Sequence, residues 1–119
     1  TVGRFERQLE QYQRQGVSVV IDGHMVSDHA AGVVARDWPN LCVTRRSVFD
    51  FHAAHAGGWY HIEGTQQVQD GIHNPRLRSD FNRWLWANSD AVSGQGAVNN
   101  YMRRTATQLA AIDAIYICN

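Results

Sequence analysis

The chain contains no lysine: all of its 11 basic residues are arginine, scattered from Arg4 to Arg104 and balanced by 11 acids to a formal net charge of zero. No dense basic stripe forms, so nothing would neutralise a run of phosphates, and nucleic acid is not an expected partner. Long apolar runs are missing too. None approaches the roughly 20 residues that a membrane-spanning helix needs, and no charged-then-apolar leader opens the chain. A soluble or already processed protein without a membrane span is expected. Cysteine is scarce, and Cys42 and Cys118 admit a single bridge. That bridge would tie the middle of the chain to its C-terminus and close a long loop. Both cysteines lie in apolar settings, LCV and YIC, where a free thiol serves equally well as a small hydrophobe. Neither Cys-x2-Cys nor His-Glu-x-x-His occurs, so no conventional zinc motif is present and no cofactor is implied.

What remains is enough for one core. A chain of 119 residues with 44% hydrophobic content falls in the range of a single domain, here taken as residues 1–119. Arg4 to Arg14 places Phe5, Leu9 and Tyr12 at helical spacing, and Gly16 follows where a helix stops. VSVVID is a short β-branched run, the signature of a buried parallel strand. Gly23 then turns the chain into HMVSDHAAGVVARD, an alanine-rich segment suited to a second helix, and LCVT and SVFDFHA read as further strands of the same sheet. This order predicts an α/β domain. Residues 56–75, rich in glycine, read as mostly loop or arm, with WYHIE a brief strand. Arg76 to Ala87 and Tyr101 to Ile112 each carry one apolar helical face, separated by the turn-rich NSDAVSGQG. The final AIYIC suits either an edge strand or a last helical turn.

Chemistry concentrates in IDGHMVSDHAAGVV, which sets Ser27 after a strand and a glycine turn, at the start of a helix. Unsatisfied N–H groups there favour developing negative charge, so the position suits a nucleophile; serine is also a preferred helix cap. A serine needs a base, and His52 stands at a strand end in FDFHAAH. In open α/β sheets the carboxyl ends of strands face one crevice, where two such groups can meet. The alternative is a half-buried histidine bonded to a backbone carbonyl. His24, His29, His52, His55 and His61 also raise a metal-binding reading, though their spacings match no zinc motif. Trp59, Tyr60, Trp84 and Trp86 raise a third, as a partner-binding or self-assembly surface, against the simpler reading of Trp84 in the core with Trp59 and Trp86 at its rim.

IDGHMVSDHA followed by LCVTRRSVFDFHAA resembles bacterial periplasmic Clp-peptidase-like proteins, and the preceding GRFERQLEQYQRQGVSVV is similar to that family's helix and strand. The resemblance covers about Gly3 to Ala54. It implies a small Clp/crotonase-like domain with a mostly parallel sheet flanked by helices, self-association into a homo-oligomer, and a periplasmic or secreted setting. It also implies a serine hydrolase acting on a peptide or acyl substrate, with Ser27 as nucleophile and His52 as general base. The third triad member would come from the later chain, where Asp90 is the chosen acid and Asp80, Asn99 and Asn100 compete. The chain departs from the family around the serine. Met25 and His29 stand where relatives carry cysteines in a CLSAC-like pattern, and Asp28 follows Ser27, where a carboxylate opposes an oxyanion unless it points away. The strand and glycine pair with which the family completes its oxyanion hole would precede Gly3. The alternative is a protein of the same fold that has lost catalysis and serves in assembly or binding.

Overall fold

A computed structural model describes residues 3–92 and 99–119. The last residues of the turn-rich NSDAVSGQG segment lie outside the described residues. Helix α1 (Arg4–Arg14) leads into strand β1 (Val19–Ile21), and Gly23, at φ 126°, turns the chain into a second short strand, β2 (His24–Val26). Helix α2 (Asp28–Val33) follows, then β3 (Leu41–Val43) and β4 (Val48–Phe51). The second helix is therefore shorter than HMVSDHAAGVVARD predicts, because its first residues pair as a strand.

β1 runs parallel to β3 and β2 parallel to β4, two pairs in separate sheets with a break between them. Val19 faces Leu41 whereas His24 faces Val48, so the β3–β4 side carries extra residues at the break. Polar bonds fill it: Gly23 N–H donates to Ser47 Oγ (3.0 Å), Thr44 Oγ1 donates to Asp22 Oδ1 (2.7 Å), and Arg46 pairs with Asp22. Ser47 is wholly buried there, and its hydroxyl is bonded on several sides. Beyond β3 the C-terminal AIYIC run behaves as an edge: Val43 bridges Ile117 in parallel, and Cys42 and Cys118 are joined by a disulfide.

The remaining pairings are antiparallel. β5 (His55–Ala56) and β6 (Trp59–Tyr60) form a hairpin across Gly57 and Gly58, whose φ angles of 59° and 84° suit a tight two-residue turn that side chains with a β-carbon resist. The segment 56–75 is not mostly loop, because it contains helix α3 (Ile62–Asp70). Helix α4 (Pro75–Ala87) matches its apolar spacing, burying Leu77, Phe81 and Leu85. A 3-10 turn, Ser89–Val92, follows it. The stretch from Tyr101 splits into strand β7 (Met102–Thr105), antiparallel to β4, and helix α5 (Ala106–Ala111). The fold is thus an α/β mix with both parallel and antiparallel pairing.

The core lies where β4 meets the helices. Phe49 and Phe51 are buried, Phe51 against Phe81 of α4, in a core that also holds Leu9, Val33, Leu77, Met102 and Leu109. Each such side chain taken from water contributes roughly 1.5–3 kcal/mol. The cross-link spans 76 residues of sequence, and the chain-entropy account assigns such a loop about 4.5 kcal/mol. Trp84 is half-buried against Phe81, while Trp59 and Trp86 are largely exposed. No helix among the described residues is long and apolar enough to cross a membrane.

Candidate active site

Ser27 joins β2 to α2 in a backbone conformation that side chains seldom adopt, with φ 56° and ψ −115°. Such outliers cost about 1–3 kcal/mol and persist where the surroundings over-determine them. Here Ser27 N–H donates to the carbonyl of Asp50 on β4 (3.0 Å), and Ser27 C=O accepts from Ala31 N–H (2.9 Å). The next turn of α2 is pinned as well. A β-carbon on Gly32 would lie 2.8 Å from the Phe5 ring, so only glycine lets α1 approach this closely. The serine hydroxyl makes no capping bond to the helix it begins, although it occupies the capping position. It is exposed and lines a cavity.

Asp28 does not leave its charge unpartnered beside the serine. Its Oδ1 accepts from Gly3 N–H (2.9 Å) and its Oδ2 from Phe5 N–H (3.3 Å), so one carboxylate caps α1 from the neighbouring helix. Gly3, the residue at the cap position of α1, has no side chain to do so. The negative charge is thereby engaged by helix N–H groups that favour it.

His52 follows the last residue of β4 and is half-buried. Its Nδ1 lies 2.5 Å from the carbonyl oxygen of Ala53. A carbonyl only accepts, so Nδ1 carries the proton and Nε2 of the neutral ring keeps its lone pair. The His55 ring stacks on it at 5.4 Å, and Tyr101 meets it edge-on at 5.1 Å. Ser27 and His52 line one cavity of about 140 Å³, together with Asp28, Ala31, Phe51, Ala54, His55 and Val68.

Asp90 lies in the exposed 3-10 turn after α4, outside the lining of this cavity, and no described hydrogen bond joins it to His52. Asp80 is engaged by Arg76 and Arg83. Among the described hydrogen bonds, the His52 imidazole is held by the Ala53 carbonyl. Of the histidines named as possible metal ligands, only His52 and His55 lie together; the others are engaged elsewhere. His29 packs on Phe5 at 4.7 Å, His61 accepts from Gly64 N–H at the start of α3, and His24 bonds Asp50. No group of three or more potential ligands for a metal ion occurs among the described residues.

The His24 contact belongs to a cluster with no local sequence signal. Asp50 on β4 is only 4% exposed; Arg103 on β7 holds it with two bonds of 2.9 Å, and His24 Nε2 on β2 meets Oδ2 at 2.6 Å. The Arg103 bonds hold the Asp50 carboxyl below the usual carboxylate range, aided by His24 and opposed by burial. The cluster ties three strands together, and Asp50 is also the residue whose carbonyl fixes the Ser27 backbone. The alternation of apolar and polar residues in VFDF could have shown Asp50 facing away from the core, but its partners lie far off in sequence.

No family model matches this chain, and no curated protein matches it.

Proposed function

We propose that the domain is a serine hydrolase of the Clp-peptidase-like kind, acting on peptide or acyl bonds with Ser27 as nucleophile and His52 as base. The observation that carries this reading is the Ser27 backbone: a strained, non-glycine residue between strand and helix, with its hydroxyl free of capping and in a cavity shared with a histidine. Strand-to-helix nucleophile turns use this kind of strain to present a hydroxyl. In the proposed step Ser27 Oγ attacks the substrate carbonyl carbon as His52 Nε2 takes the hydroxyl proton. The carbon–leaving-group bond then breaks and His52 returns that proton to the leaving group. Water, giving its proton to His52, attacks the acyl-serine, and Ser27 regains a proton as the acid departs. In this reading the N–H of Asp28, the residue just after the serine, donates to the developing oxyanion.

Within this reading the domain has the Clp/crotonase fold, self-associates, and works in the periplasm or outside the cell. The parallel pairing of β1 with β3 and β2 with β4 supports the fold, and the Cys42–Cys118 disulfide supports an oxidising compartment. A second reading, a non-catalytic assembly module of the same fold, draws on the backbone carbonyl standing where a triad carboxylate would be, and on the exposed Trp59, Ile62 and Trp86. Labelling with a fluorophosphonate serine probe separates the two. The hydrolase reading expects modification at Ser27 that is abolished in folded Ser27→Ala and His52→Ala variants. No modification of the folded native protein would select the assembly reading.

A further inference from the structure

The cavity beside Ser27 also limits what the site can take, and the limit comes from α3. Val68 is the lining residue supplied by α3; the others come from the stretches 27–31 and 51–55. Its position is firmly set. Thr65, one turn earlier and 3% exposed, accepts from Ala54 N–H (2.9 Å) and donates to the His61 carbonyl (2.8 Å) through the same hydroxyl. A β-carbon on Gly64 would lie 2.8 Å from the Ala54 β-carbon, so the helix sits directly on the segment that follows His52. Residues at i and i+4 share a helix face, and Val68 is therefore held over the cavity by the contacts of Gly64 and the adjoining Thr65.

The lining away from Ser27 and the histidines is aliphatic or aromatic: Ala31, Phe51, Ala54 and Val68. The one carboxylate, Asp28, is committed to the N–H groups of α1, and no lysine or arginine lines the cavity to receive an anionic substrate group. Its volume is about 140 Å³; an apolar protein cavity of about 150 Å³ accommodates benzene.

We infer that this cavity binds the acyl part of the substrate and selects short, uncharged aliphatic acyl groups, with Val68 setting the upper size. The inference rests on the hydrolase reading for its chemistry but not for the binding itself. The experiment therefore has two arms. In the first, kcat/KM is measured on 4-nitrophenyl acetate, butyrate, hexanoate and octanoate for the native chain, Val68→Ala and Val68→Phe. The native optimum is expected at butyrate or hexanoate, with octanoate at least tenfold worse. Val68→Ala is expected to move the optimum to longer chains, gaining roughly fourfold for each methylene newly accommodated, and Val68→Phe to confine activity to acetate. In the second arm, butyramide is titrated into Ser27→Ala protein while the methyl NMR signals of Ala31, Ala54 and Val68 are followed; saturable shifts are expected, and Val68→Phe in that background should remove them. An unchanged chain-length profile in both Val68 variants with Ser27 still labelled by the probe overturns the inference and leaves the hydrolase reading standing. Absence of methyl shifts in folded Ser27→Ala overturns it as well. Methyl shifts without any labelling or turnover would sink the hydrolase reading while the pocket for small neutral aliphatic groups stood.

Discussion

Two places in this molecule perform the same local task with opposite use of a hydroxyl. At each, a short strand ends and a six-residue helix begins behind a hydroxyl-bearing residue: Ser27 before α2 and Thr105 before α5. Thr105 is relaxed, at φ −79° and ψ 160°. Its side chain accepts from Gln108 N–H and the Gln108 side chain accepts from Thr105 N–H, closing a capping box. Ser27 has positive φ and makes no cap. His61 and Asn74 also cap their helices through side chains. The hydroxyl at Ser27 is withheld from a stabilising role that this chain uses elsewhere, and the surrounding packing holds a strained backbone in its place.

The comparison can be broken most directly by chemistry. Ser27→Ala and His52→Ala should reduce fluorophosphonate labelling to background, whereas Thr105→Ala should label like the native protein; equal loss in all three would mean the serine is not special. The next effect is global. Serine at Cys42 and Cys118 should lower stability by about 4.5 kcal/mol in urea unfolding, and labelling should persist in protein that remains folded, because neither cysteine lines the Ser27 cavity.

A third test concerns the anchor beneath Ser27. The folded Asp50 carboxyl lies below its unfolded value, chiefly through Arg103. Its contribution to stability is therefore present above the unfolded carboxylate range and lost as pH falls through the lower, folded value. Acid titration of unfolding free energy should show this loss in the native protein. Arg103→Ala should weaken it, and should diminish Ser27 labelling if the Asp50 carbonyl shifts with its side chain. The smallest effects sharpen the contrast between the two junctions: Thr105→Ala should cost about 1 kcal/mol, whereas Ser27→Ala should lose no cap. Ser27→Gly should match or exceed native stability, since relief of strain offsets the larger freedom of the unfolded chain. A midpoint for Ser27→Gly well below that of Ser27→Ala would mean that the backbone there is not strained.

The two junctions were unequally legible in the sequence. The first helix, the strands at Val19, Leu41 and Val48 and the Pro75–Ala87 helix follow from apolar periodicity, because each buries a face that local spacing reveals. The positions of Ser27 and His52 were legible for the same reason: both sit where such elements end, and both line one cavity. β7 was hidden because Met102, Leu109 and Ile112 imitate one helical face, while pairing with β4 and the Arg103–Asp50 contact hold Met102–Thr105 extended. α3 was hidden because IEGTQQVQD, with a glycine and a threonine near its start, is a poor helix by propensity. Tertiary bonds from Thr65 and the close seat of Gly64 on Ala54 make it one. That His52 is half-buried and bonded to a backbone carbonyl matches the alternative reading of that residue; which carbonyl it meets had no signal, since one is present at every residue.

The disulfide divides the chain in a way its stabilising effect does not express. Cys42 and Cys118 enclose a covalent ring that contains His52, while α1, β1, β2, α2 and Ser27 lie outside it. Ser27 and His52 are therefore on different sides of the molecule's covalent topology. A backbone cut anywhere within the ring leaves both new ends tethered, but a cut in the exposed Arg36–Asp37 stretch frees a fragment bearing Ser27 from one bearing His52. Such a pair would amount to a split protein, its two fragments held together without a covalent bond by helix packing, the parallel strand pairings and bonds such as Trp38 to the Gly32 carbonyl.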